Sequence, residues 1–102
     1  MRRFPIAAHL AAAGLAAILA AGCVVAPPVQ EMSAARQAIA AAEDAGADRF
    51  ARDELADARV FLAEAETAIA ARNFGPARTN ALRAQNRAMR ALRRSLADED
   101  QP

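Results

Sequence analysis

Residues 74–96, FGPARTNALRAQNRAMRALRRSL, decide the fold. Nearly every residue in this stretch favours helix, and its single proline, Pro76, stands in the first turn, where a missing N–H costs little. At 100° per residue, Ala77, Ala81, Ala84, Ala88 and Ala91 form one apolar row. Leu82, Met89, Leu92 and Leu96 form a second row beside it. Arg83, Arg87, Arg90 and Arg94 fall on the opposite side, within roughly 60° of one another. The spacing predicts an amphipathic helix with a wide apolar face and a narrow arginine stripe.

Immediately upstream lies Arg72-Asn73-Phe74-Gly75-Pro76. Asn73 suits either the left-handed cap of a preceding helix or the N-cap of the next. Before it, Leu55, Ala58, Leu62, Ala65 and Ile69, broadened by Phe61 and Ala68, predict a helix that begins between residues 48 and 51 and ends near 72. A connection this short makes the two helices antiparallel neighbours. Met32, Ala35, Ile39 and Ala42 predict a further helix over residues 31–45, ended by Gly46. No run alternates with period two, so the fold class is all-α. It reads as a short helix followed by an antiparallel helical hairpin, either tetratricopeptide-like or a three-helix bundle. The helical domain covers 31–96, Val24 to Gln30 read as an extended tether around a Pro-Pro pair, and the acidic residues 97–102 read as a frayed tail. Phe50, Phe61 and Phe74 are expected to anchor the core. Most seam residues are Ala, which bury little area at about 0.8 kcal/mol per methylene-sized group. The core is therefore thin, and self-association, a partner or a membrane is expected to complete it.

The N-terminus carries a different signal. Arg2 and Arg3 precede an apolar stretch from Phe4 to Ala21, which closes on Leu19-Ala20-Ala21-Gly22-Cys23. A basic start, a short apolar segment and small residues before the cut describe an export signal. Small residues directly before a cysteine resemble the lipobox of bacterial lipoproteins, in which the thiol accepts a diacylglycerol. Ala20 stands where that motif prefers Leu, and Leu19 comes one residue too early. Residues 1–22 are thus expected to be removed, leaving Cys23 as the lipidated, palmitate-bearing first residue. The competing reading is an uncleaved anchor, but about 18 apolar residues is the lower limit for a span and many of these are Ala. A disulfide has no partner, because Cys23 is the only cysteine. Val24 after the cysteine, rather than Asp, favours the periplasmic face of the outer membrane.

Cleavage changes the chemistry on offer. Two of the thirteen basic residues leave with the signal, so eleven arginines face twelve acids, a net of −1. His9 leaves as well, and the remainder holds no His, Lys, Tyr or Trp. General acid–base and nucleophilic catalysis draw mainly on those residue types. Ser33, Ser95, Thr67 and Thr79 have no base to activate them, and Asp53 with Asp57 is the remaining pair of carboxylates one turn apart. An enzyme is not expected, nor is a cofactor. No Gly-containing loop of alternating oxygen ligands accompanies Asp53, Asp57, Glu43 or Asp44, so they read as a solvated face rather than a metal site.

Charge is segregated along the chain. Residues 31–66 hold nine acids and four arginines, whereas residues 67–96 hold seven arginines and no acid. One reading lays the acidic helix beside the basic one, with flanking charges pairing along the hairpin. The sharper reading turns Arg83, Arg87, Arg90 and Arg94 away from the acidic helix to bind a polyanion. Lipopolysaccharide phosphates, anionic headgroups, peptidoglycan carboxylates and an acidic envelope protein all suit the planar guanidinium fork. Nucleic acid is not a partner for an exported chain.

Met32-Ser33-Ala34-Ala35-Arg36-Gln37-Ala38-Ile39, Ala45-Gly46-Ala47, Glu54-Leu55, Ala58 and Leu62-Ala63-Glu64-Ala65 resemble the family called domain of unknown function 4398. Asn73-Phe74-Gly75-Pro76-Ala77 stands where that family has a Gly-Asp-Tyr-like turn, similar to tetratricopeptide repeats. The resemblance covers residues 26–95 and departs at Arg52, where a Pro is common, and at Arg72, where the turn often has Gly. It implies a short envelope lipoprotein and supplies no catalytic residues. With the composition, the expected function is a non-enzymatic adaptor or scaffold, the alternative being a coiled-coil-like spacer that self-associates. The major murein lipoprotein, a spacer with a similar anchor and helical seam, ends in a Lys that joins peptidoglycan. This sequence contains no Lys, so that attachment is not expected.

Overall fold

The computed structural model describes residues 26–100, and Cys23 with the whole signal segment lies outside them. The described chain forms α1 (Val29–Asp44), α2 (Ala47–Phe50), α3 (Arg52–Ala70) and α4 (Phe74–Glu99), with no strand among the described residues. The all-α class and the helical hairpin of α3 and α4 are as the periodicity requires.

α1 starts two residues earlier than predicted. Pro28 occupies its N-cap, and the Pro28 carbonyl accepts from the Met32 N–H at 3.0 Å, so Val29 and Gln30 are helical rather than part of a tether. Pro28 itself is fully buried. At the other end Gly46 takes φ +85°, a left-handed value, as its position demands. The Phe50 ring lies over Gly46, where an added Cβ would sit 3.3 Å from it. The next helix is interrupted at Ala51 (φ −147°, ψ 48°), which separates the single turn of α2 from α3.

The hairpin turn also differs from expectation. Arg72, not Asn73, adopts the left-handed conformation at φ 61°. The Arg72 N–H donates to the Ile69 carbonyl (2.9 Å) and the Asn73 N–H to the Ala68 carbonyl (2.8 Å), which together make a Schellman closure of α3. Asn73 then serves as N-cap of α4 through its backbone, without a side-chain bond. α4 continues through Ala97, Asp98 and Glu99, so the first half of the segment read as a frayed tail is helical.

α4 is the central element, packed along its length against both α3 and α1, which touch each other far less. Its buried residues are Ala77, Ala81, Ala84, Ala88, Ala91 and Ser95, stepping by four and three. Eighteen residues are about five full turns, so this row runs straight down one side of the helix. Ile39, Ala42, Leu55 and Ala58 meet Ala88 and Ala91 in the larger cluster, while Met32, Ala65 and Ala81 form a smaller one. Leu62 packs against both. Among the described residues, Pro28 apart, twelve of the fifteen buried apolar residues are Ala, so the helices pack through small side chains with little buried area from each. Phe50, Phe61 and Phe74 are only half-buried and stand outside both clusters, so they are not the anchors the sequence suggested. Ala seams bring backbones too close to leave room for rings between them.

Candidate functional site

The charged side chains occupy the edges of the bundle. Arg36 pairs with Glu66 (3.4 Å), tying α1 to α3. Arg59 of α3 reaches both Glu43 (3.5 Å) and Asp48 (3.4 Å), clamping the Gly46 turn from two sides. Arg78 of α4 pairs with Glu31 of α1 at 3.1 Å. Arg94 of α4 donates to Glu54 of α3 at 2.7 Å. The arginines are about half exposed, whereas Glu31 and Glu54 are only 27% and 25% exposed. Such pairs each add little stability, but together they favour one arrangement of the helices about α4.

This geometry redirects the arginine stripe. Three of its four residues, Arg83, Arg87 and Arg94, reach side chains of α3, so the stripe does not turn wholly away from that helix. Arg94 is committed to Glu54, and Arg83 and Arg87 lie over the Phe61 ring at 5.9 and 6.0 Å. A cation over an aromatic face is attracted by its quadrupole, which accounts for Phe61 standing at the rim instead of the core. Arg90 and Arg93 are exposed and have no acid within ion-pair distance among the described residues. The flanking-pair reading of the hairpin thus applies at Arg94. Arg83, Arg87 and Arg90 keep exposed or half-exposed guanidinium surface for an anionic group.

At the Glu54–Arg94 contact the titration of both groups is displaced. The hydrogen bond from Arg94 holds the Glu54 carboxyl below its ordinary value of 4.5, and the same bond raises Arg94. A carboxyl with a depressed folded-state pKa stabilises the fold above its unfolded value and loses that contribution as pH falls through the folded one. The Tm gap between wild type and Glu54→Gln is therefore expected to be widest at neutral pH. It should narrow as pH drops from above 4.5 through the lowered value. A gap that stays constant through the acid range would show that Glu54 and Arg94 do not interact in solution.

The hydroxyls are spent locally. Ser95 donates to the Ala91 carbonyl (2.7 Å), Thr67 to Ala63 (3.1 Å) and Thr79 to Gly75 (3.2 Å), while Ser33 accepts from Gln37 at 3.0 Å. Asp53 and Asp57 are exposed on α3. Among the described residues no group of three or more potential ligands is placed to hold a metal ion, and no helix is long and apolar enough to cross a membrane. An open groove of about 480 Å³ runs beside α3, lined by small and apolar side chains such as Val60, Ala63 and Ala68 with Glu64 at its margin. It brings no set of reactive groups together.

One feature lies beyond what helical periodicity reveals. The second apolar row of α4 faces solvent: Leu82, Met89 and Leu96 are 43%, 37% and 47% exposed, and only Leu92 packs against the core. Periodicity shows that a face is apolar, but not whether a neighbour covers it. No protein-family model, no curated protein and no solved structure matches this chain.

Proposed function

We propose that the protein is a non-enzymatic, lipid-anchored lipoprotein of the bacterial cell envelope whose helical bundle is an adaptor surface. The observation that carries this reading is Leu19-Ala20-Ala21-Gly22-Cys23, small residues before a lone cysteine at the end of a basic-then-apolar segment. The arrangement downstream supports it: five residues separate Cys23 from the first turn of α1, a reach of roughly 20 Å, enough to hold a folded bundle just clear of a membrane surface. The outer membrane is the proposed address because Val24 follows the cysteine. The exposed guanidinium groups of Arg83, Arg87 and Arg90 are the proposed contacts for an anionic partner, whether a phosphate- or carboxylate-bearing envelope polymer or an acidic protein surface, with Arg94 acting mainly through Glu54.

The anchor is tested directly. Cys23→Ser is expected to abolish incorporation of labelled palmitate and to move the chain from the membrane to the soluble fraction. One acyl chain binds a membrane only marginally whereas several hold it firmly, so the change in retention should be large. If Cys23→Ser remains in the membrane at the wild-type level, residues 4–21 act as an uncleaved anchor and the lipoprotein reading fails.

A further inference from the structure

The exposed row on α4 has an internal symmetry that identifies its occupant. Leu82 and Leu96 stand seven residues either side of Met89, all three exposed. Gln85 and Arg93 stand four residues either side of it, and Arg78 and Asp100 eleven either side. At 100° per residue all of these fall within roughly 40° of the direction of Met89, about 120° round the helix from the buried Ala row. The row therefore reads the same from either end, except that its chemical complements exchange places: a base for an acid at the tips, an arginine for an amide acceptor inside, and leucine for leucine.

The geometry points to a second copy of this chain, packed antiparallel along α4 about a two-fold axis through Met89. An isologous interface requires a surface that complements itself under such a rotation. Antiparallel pairing sets Leu82 on the partner's Leu96, Met89 on the partner's Met89, Arg93 beside the partner's Gln85 and Arg78 beside the partner's Asp100. Parallel pairing would instead stack Arg78 on Arg78, Arg93 on Arg93 and Asp100 on Asp100, each a like-charge contact. Asp100 and the adjoining Glu99 have no ion-pair partner among the described residues, so they are available. Arg78 already holds Glu31, and the partner's Asp100 would extend that pair into a network. The pairing also supplies what the Ala-rich core lacks, since it covers Leu82, Met89 and Leu96, the large exposed apolar side chains of α4. Because α1 begins beside the start of α4, the two tethers leave the pair at opposite ends, and both reach a single surface when the pair lies along it.

The test uses the full chain, oxidised in isolated membranes. Met89→Cys is expected to give a disulfide-linked dimer. Leu82→Cys and Leu96→Cys should each give none alone, yet form a dimer with each other when co-expressed. The wild-type chain is the control, since its one cysteine is Cys23; a wild-type crosslink reports a free Cys23 and counts against lipidation, not against pairing. Met89→Asp, at an exposed position where the fold should be unaffected by circular dichroism, is expected to lower chemically crosslinked dimer by about tenfold or more. Several results would overturn the proposal: Leu82→Cys linking to itself as readily as Met89→Cys, links only to a chain of another mass, no links from any variant, or an undiminished dimer in Met89→Asp. Loss of membrane binding in Met89→Asp without change in any dimer would assign the row to the lipid surface instead.

Discussion

Leu55→Ala is expected to destabilise the bundle by about 3 kcal/mol, within the range of roughly 2–5 for a buried leucine. Among the described residues Leu55 is the one leucine with no exposed surface, and it sits where Ile39, Ala58, Ala88 and Ala91 converge. Its neighbours are largely alanines on rigid helices, which have no side-chain freedom with which to fill the vacated space. The cavity term therefore adds almost in full to the lost transfer term. Against a total stability expected on the order of 5–10 kcal/mol for a chain of this size, that loss is severe. Urea unfolding should show a lower midpoint with an unchanged slope. Val60→Ala, on the exposed side of α3, serves as the comparison and should shift stability by less than about 0.5 kcal/mol. Similar shifts for the two would mean that α1, α3 and α4 do not converge on Leu55.

Ala88→Leu is expected to cost about 2–3 kcal/mol from the opposite cause. Ala88 is fully buried in the straight row of α4 and belongs to the cluster shared by α1, α3 and α4. A row of alanines lets helix axes approach to the short end of the usual 8–10 Å range. Three added carbons cannot be taken up by a local rotamer change there, so α4 must move away from at least one neighbour. That movement also loosens Ala84 and Ala91, one turn on either side. A lowered Tm and increased binding of a hydrophobic dye near the transition are the expected readouts. Ala97→Leu, on the exposed end of α4, should leave both unchanged. A rise in Tm for Ala88→Leu would show that the helices stand further apart than an Ala seam implies.

Much of this architecture is legible in the residues themselves, because a 3.6-residue apolar period and a glycine in a left-handed turn are local facts. Met32, Ala35, Ile39, Ala42, Leu55, Ala58 and Ala65, and the whole Ala row of α4, are buried as their spacing requires. Other features depend on which element lies beside which. Phe61 fits the apolar face of α3 by angle, yet it ends at the rim because Arg83 and Arg87 of α4 arrive over it. The arginine stripe is equally clear by angle, but its direction depends on α3 and α1 taking particular flanks of α4, and no period encodes that choice. Ala51 carries no turn signal at all, yet α2 and α3 are separated there. Arg72 takes the left-handed position because the Schellman closure places it one residue after the Ala71 C-cap, whatever the preference of Asn73. The anchor, by contrast, rests wholly on sequence, since Cys23 lies outside the described residues.

The Arg78–Glu31 pair has a mechanical consequence. It fixes the start of α1 beside the start of α4, so these two helices run in the same direction from a common end. A pull between the N-terminal side of Pro28 and the far end of α4 acts along the helix axes. Such a load shears the Ala rows against each other, straining all their contacts at once instead of peeling them apart one turn at a time. A thin core that would yield readily to unzipping is thereby loaded in its most resistant direction.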